Sequence, residues 1–328
     1  MKSGFLVYAL LVSALSAQAG GPNVPPATQP PVRPVARVNG AILTERDLMR
    51  EMYAIFPYAA QHGGAFPKAM EPQIRKGALK MIVFEELVYQ EAVRRQITVP
   101  PAKLDRAWAD FRKEFAKPED FQQFLKTEVN GSVEQARARI RRALLIDEFM
   151  KIEVADKAAV SPAEAKAYYD KNRGSFAFSE SFSVQTISMI PPAKATPAQV
   201  EEARKRAHAT LKQAQATTSY QQFGLLAEKL SEDDYRVMMG DHRSVERAKL
   251  PPPIVQALLG MQPGQVSGVI AVDQTFTIVR LNSHTPAGIH TFAEARDGIR
   301  KQLEKTKIEQ LRADLDKRLR AKAKVEEL

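Results

Sequence analysis

The chain contains no cysteine. That excludes disulfides, thiolate metal sites, a cysteine nucleophile and a lipidated N-terminal cysteine. Long apolar runs are also missing beyond the first residues, where "GFLVYALLVSAL" follows Lys2. This run is shorter than the roughly 20 residues of a spanning helix. It leads to Ala17-Gln18-Ala19, a small-x-small site before Gly20, so residues 1–19 read as a secretory signal cleaved after Ala19. The expected product is a soluble exported protein with no membrane anchor, which places it in the periplasm. The net charge of +10 would draw anionic partners. However, the basic residues alternate with Glu and Asp in stretches such as "EARKRAHATLKQ", the pattern of a solvated helical face. Nucleic acid is therefore not an expected partner. The five histidines, His62, His208, His242, His284 and His290, show no metal or triad spacing and read as surface residues. Neither a metal nor any other cofactor is expected.

The 328 residues, 44% of them hydrophobic, suffice for two domains with real cores. Residues 20–35, rich in Pro and Gly, read as an extended tether. In "VARVNGAILTERDL" the pair Asn39-Gly40 marks a tight hairpin, and Thr44 with Asp47 marks a helix start. Leu79, Ile82, Val83 and Leu87 share one helical face. Ser132 with Gln135 predicts a capping box, and Ser161-Pro162 opens another helix. Residues 36–178 thus form a mostly helical domain. Residues 179–288 change pattern: "ESFSVQTISMI" predicts a strand, Thr196-Pro197 with Gln199 caps a helix, and "SYQQFGLLAEKLS" gives a second helix. A charged loop follows, then the helix "PPIVQALLGM" and two strands. The order β, α, α, loop, α, β, β suits a small α+β domain. A long helix over 291–323 and the apolar end "KAKVEEL" complete the chain.

Several stretches of 179–288 resemble the parvulin domain of peptidyl-prolyl cis–trans isomerases: "LAEKLSEDD", "MGDHRSV", "LPPPIVQALLGMQPGQVSGVI" and "TFTIVRL". The helical part is similar to the N-terminal region of the SurA and PrsA foldases, through "VARVNGAILTERDL", "EELVYQEAVRRQITVPPAKLD" and "VSPAEAKAYYDKNRGSF". The resemblance implies an α+β protein in which a SurA-N-like helical domain carries an inserted parvulin domain, a small antiparallel sheet surrounded by helices. Residues 289–328 would return to complete the helical domain, and "AKVEEL" could pair with "VARVNG".

The family's catalytic set, carried over by position, is changed. Its two histidines fall on Thr186 and Thr277, and its Cys or Asp on Asp233. The two threonines could serve the amide, or simply satisfy each other across the sheet. The proline pocket maps to Leu250 and Ile254, with Leu259 and Phe276 lining or supporting it. The loop keeps Gly240 and Asp241 but carries His242 and Arg243 where the family has Leu and Gly. The implied partners are unfolded or extended polypeptides, outer-membrane or secreted proteins among them. Three functions stay open: a parvulin-type isomerase weakened by the lost histidines, a non-catalytic chaperone that uses the parvulin unit as a peptide-binding lobe, and a basic envelope-binding protein.

Overall fold

Asn39 and Gly40 both take positive φ, 48° and 90°, the backbone that a two-residue hairpin turn of type I′ demands. They join β1 (Pro34–Val38) to β2 (Ala41–Thr44) in an antiparallel pair. The computed structural model describes residues 33–61 and 64–328. The expected signal 1–19, the tether up to residue 32 and His62 lie outside the described residues. β1 begins at Pro34 and Val35 is buried, so the last two residues read as tether are strand. The other edge of β1 receives β9 (Val325–Glu327), with Ala36 opposite Glu327 and Val38 opposite Val325.

Thr44 then caps α1 (Glu45–Ile55): its side chain accepts from Asp47 N while the Asp47 carboxylate accepts from Thr44 N at 3.0 Å. There follow α2 (Pro57–Gln61), α3 (Glu71–Arg94), α4 (Pro101–Lys113), α5 (Pro118–Val129) and α6 (Val133–Met150). Ser132 caps α6 by accepting from Gln135 N, but its hydroxyl turns to Glu134 Oε2 at 3.1 Å. The Ser132 backbone N–H, which the expected capping box assigned to the Gln135 side chain, donates instead to Val129 O at 2.9 Å. Past α6 the helix loosens into a π turn, Lys151–Ala155.

Leu48, Met52, Ile82, Val83, Leu87 and Phe149 form the main core of this part, joined by Leu315 from the C-terminal helix. Each such side chain contributes roughly 1.5–3 kcal/mol on burial. Glu153, in the π turn, is buried and accepts from Arg95 (2.8 Å), Lys157 (3.0 Å) and Arg318 (2.8 Å). Burial alone would raise its pKa, but these three cations outweigh that and hold it at about 2. One carboxylate thereby ties α3 and the π turn to the C-terminal helix. Phe111, Phe121, Phe124, Ile140 and Leu144 form a separate cluster.

The chain divides into two compact units. One holds the described residues up to Ser161 together with Arg300–Leu328; the other is Pro162–Ile299. The second therefore extends beyond 179–288 at both ends. The extra segments hold each other: Tyr169 Oη donates to His290 O at 2.6 Å, and its ring packs on Phe176 and Phe292.

This second unit runs α7 (Pro162–Lys171), β3 (Ala177–Phe178), β4 (Ser181–Met189), α8 (Pro197–Gln215), α9 (Tyr220–Leu230), β5 (Asp241–Glu246), α10 (Pro252–Leu259), β6 (Val266–Val272), β7 (Thr275–Thr285) and β8 (Gly288–Ile289). The helix α11 (Phe292–Arg320) starts within it. Its main sheet is antiparallel in the order β5-β4-β7-β6, and β3 pairs with β8. Thr196 and Gln199 form the predicted capping box at α8. β5 lies in the passage read as loop. It is an edge strand, and the charges of Asp241, Arg243 and Glu246 in its "DHRSVE" sequence hide the alternation that reveals central strands.

Candidate active site

Side chains alternate across a strand, so β4 sends Phe182, Val184, Thr186 and Ser188 to one face and Gln185, Ile187 and Met189 to the other. Phe182 and Val184 join Ile254, Leu258, Val279 and Leu281 in one apolar cluster; Ile187 and Met189 join Phe223 and Ile278 in the opposite one. Thr186 stands opposite Val279, and Ser188 opposite Thr277. The two threonines thus share a face but are offset by two residues along the strands.

That offset decides their partners. Thr277 Oγ1 lies 3.1 Å from Ser188 Oγ, and both are buried. The Ser188 backbone in turn donates to Ser231 Oγ at 2.9 Å. The expected alternative, threonines satisfying each other, is replaced by a Thr277–Ser188 pair. Thr186 looks elsewhere: its hydroxyl donates to Asp233 Oδ2 at 3.2 Å, and His242 Nε2 lies 2.8 Å from Thr186 Oγ1. With Thr186 donating to Asp233, its oxygen is left to accept, and Nε2–H of His242 is the donor. The second carboxylate oxygen, Asp233 Oδ1, is buried with no hydrogen-bond partner among the described residues.

His242, expected as a surface residue, is half-buried on β5, its ring centroid 3.5 Å from that of Tyr235. Burial pushes its pKa below the ordinary 6.5, against the pull of Asp233 and Asp241, so the imidazole is neutral at pH 7. Two neighbours fix its position. Asp241 Oδ1 accepts from Arg243 N at 2.7 Å, a local turn that sets the start of β5. Gly240, at φ +68°, places its carbonyl to accept from Thr186 N at 2.9 Å. A Cβ there would meet Thr186 O at 2.3 Å. Glu232 anchors the other end of the loop: its backbone donates to Ser188 O (2.8 Å), and its carboxylate accepts from Ile190 N (2.7 Å) and from Arg206.

The expected proline pocket is placed only in part. Ile254 is buried and Leu250 half-buried in the cluster on the Thr186 face. Phe276 is on the opposite face, packed with Ile187, Phe223 and Ile278, because it precedes Thr277 by one residue and the strand alternates. Leu259 is 49% exposed while Leu258 is fully buried. Five residues past Ile254, Leu259 has turned about 140° around the helix. Sequence reading missed Ser188, Ser231, Glu232 and Tyr235. Only Ser188 had a signal, sitting two residues after Thr186 on the same strand face.

The remaining described histidines lie apart from this site. His284 bonds Glu180 at 2.8 Å and stacks on Phe182, His290 packs on Phe178, and His208 is exposed on α8. Among the described residues no helix is long and apolar enough to cross a membrane.

Two families match the chain in tandem. Residues 4–150 match the SurA-like N-terminal domain and residues 160–297 the PPIC-type PPIASE domain. Among curated proteins, the chain is 30% identical over 250 residues to Chaperone SurA of Burkholderia pseudomallei, covering 75% of this chain and 55% of that protein. It is 25% identical over 252 residues to Chaperone SurA of Pseudomonas fluorescens, covering 76% and 57%. The chain therefore spans little more than half the length of these relatives. Among solved structures, a SurA-like chaperone of Campylobacter jejuni aligns over 90% of this chain and 100% of its own, at 16% identity and a TM-score of 0.42.

Proposed function

Since this chain belongs to the SurA/PrsA-like foldases, with a SurA-like N-terminal domain followed by a PPIC-type isomerase domain, we propose that it is a periplasmic folding factor whose isomerase unit retains slow X–Pro isomerisation. Its clients in this reading are extended segments of exported proteins, outer-membrane proteins among them. The signal over residues 1–19 delivers it. The helical unit up to Ser161, completed by Arg300–Leu328, holds the client, and the isomerase unit within Pro162–Ile299 is an insertion.

The observation that carries the proposal is the chain from His242 through Thr186 to Asp233, beside the Leu250–Ile254 patch. X–Pro rotation faces a barrier of roughly 18–20 kcal/mol, set by amide resonance. No nucleophile is needed; the twisted, less conjugated amide must be favoured over the planar one. Leu250 and Ile254 offer the proline ring an apolar seat. Asp233 Oδ1, with no partner of its own among the described residues, supplies a negative charge. Acting through the wall of the site on the client's carbonyl oxygen, that charge disfavours the resonance form with O⁻ and C=N⁺, and so weakens the partial double bond. His242 and Thr186 act on Asp233 rather than on the client: they are positioning residues.

A second reading, a lobe that binds proline segments without turning them, has its own support. Thr277, at one of the positions where the family carries histidine, is buried and committed to Ser188. A protease-coupled exchange assay on a short X–Pro peptide separates the two. Acceleration by the wild type that Asp233→Ala abolishes supports the isomerase. Suppression of client aggregation with no acceleration leaves the binding lobe.

A further inference from the structure

The helical unit contains a cavity of about 320 Å³ between β2, α1, α3, α5 and α6. This is at the small end of the range for ligand sites, about 300–1,000 Å³. Five carboxyl side chains (Asp47, Glu51, Glu85, Glu86 and Glu128) face three guanidiniums (Arg50, Arg139 and Arg142), so the balance is acidic. Most of these charges are spent on each other. Arg142 bonds Glu86 at 2.6 Å, Arg50 reaches Glu128 and Asp47 at 3.5 Å each, and Arg139 donates to the Glu128 carbonyl at 2.7 Å. Arg46, just outside the lining, also bonds Glu128, at 3.1 Å.

Glu51 and Glu85 are left over. Among the described residues neither accepts a hydrogen bond nor forms an ion pair, although Glu51 is only 8% exposed. The nearest candidate from the C-terminal helix, Arg312, instead lies over the Phe84 ring and points a nitrogen at Met81 Sδ. An unpaired carboxylate this deeply placed is costly, and here two share one cavity. Apolar side chains complete the lining, among them Ile82, Phe124 and Ile42, which is 56% exposed.

We propose that this cavity receives a basic side chain of an extended polypeptide, with Glu51 and Glu85 closing on its guanidinium or ammonium and Ile42, Ile82 and Phe124 lining its aliphatic stem. Only the identity of the polypeptide as a folding client rests on the function proposed above; the cavity's preference for an alkyl cation does not. Two carboxylates flanked by guanidiniums suit an organic cation better than a metal ion, which would need further oxygen ligands.

The protonation of the pair fits this role. Burial raises the pKa of both groups, and the charge of Glu51 raises Glu85 further, to about 7, against the opposing effects of Arg142, Arg312 and Arg50. Near neutral pH the empty pair therefore holds a proton. When a cation enters, that proton leaves to solvent and the net charge of the cavity is unchanged. Affinity for the cation rises with pH as a result.

The test titrates the full chain with n-butylguanidinium and with neutral n-butylurea by calorimetry at pH 6 and pH 8, in buffers of different ionisation enthalpy. The expected result is one-to-one binding of the cation, about tenfold or more tighter than the urea. It should be several-fold tighter at pH 8 than at pH 6, with proton release, and Glu51→Gln and Glu85→Gln should each lose the preference. Equal binding of cation and urea by the wild type would overturn the proposal, as would full retention of the preference in both variants. The pH dependence of the wild type serves where a variant does not fold. Because the probes are small, their failure leaves the folding-factor reading standing, and that reading is judged separately by client aggregation.

Discussion

His242 Nε2 lies 2.8 Å from the Thr186 hydroxyl, so an imidazole supplied by β5 reaches the strand position where the family carries a histidine of its own. His242 belongs to the turn Gly240-Asp241-His242-Arg243, where the family resemblance implies Gly-Asp-Leu-Gly.

His242→Phe keeps a ring against Tyr235 and removes the nitrogen. Losing one hydrogen bond that positions Asp233 should slow X–Pro exchange roughly 5- to 30-fold. The same variant tests linkage. The folded-state pKa of His242 is lowered by burial, so the unfolded chain takes up its proton first as pH falls. The contribution of the neutral ring is complete above about pH 6.5 and declines as pH drops through the lower folded value. Urea unfolding at pH 7.5 and pH 5 should show the wild type losing more stability than His242→Phe.

Gly240→Ala should cost at least about 2 kcal/mol, because it combines a left-handed backbone with a Cβ placed against a carbonyl oxygen that cannot give way. The melting temperature of the isomerase unit should fall, with exchange activity lost alongside it. A variant of wild-type stability would contradict the geometry of this turn.

Leu250 and Phe276 should respond in opposite ways. Leu250→Ala trims a half-buried residue on the Thr186 face and should weaken binding of X–Pro peptides more than it destabilises the unit. Phe276→Ala opens the core on the far face and should cost roughly 3–5 kcal/mol. Paired unfolding and peptide-binding measurements distinguish these effects.

Glu153→Gln leaves Arg95, Lys157 and Arg318 without their shared carboxylate. Since all three cations are partly exposed, the loss should be about 1–3 kcal/mol, smaller than for a fully buried pair. The depressed pKa of Glu153 sets the pH window: its contribution is full above the unfolded value near 4.5 and disappears as pH falls through about 2. Acid unfolding of Glu153→Gln should therefore be shallower over that range.

What could be read in the sequence follows from the range of the interactions involved. Asn39-Gly40, Thr44 with Asp47, and Thr196 with Gln199 are local chemistry, and the turn and caps appear where the spacing puts them. The family resemblance located Thr186, Asp233 and Thr277, but not which of them touch. That depended on register: a two-residue offset between β4 and β7 gives Thr277 to Ser188 and frees Thr186 for Asp233. Phe276 was expected to line or support the pocket; it packs on the face opposite Leu250 and Ile254, as its place one residue before Thr277 dictates. His242 was read as a loop residue beside the site and as a surface histidine, since a charged edge strand reads as loop. Glu51 and Glu85 gave no signal at all, as two acids on different helices meet only in the folded unit.

The most direct test of the central claim is exchange spectroscopy on an X–Pro peptide, comparing cis–trans interconversion with and without the protein and with Asp233→Ala. The account predicts exchange faster than the uncatalysed rate with the wild type and a return to that rate with Asp233→Ala. Exchange at the uncatalysed rate with the wild type, while the peptide is bound, would contradict it.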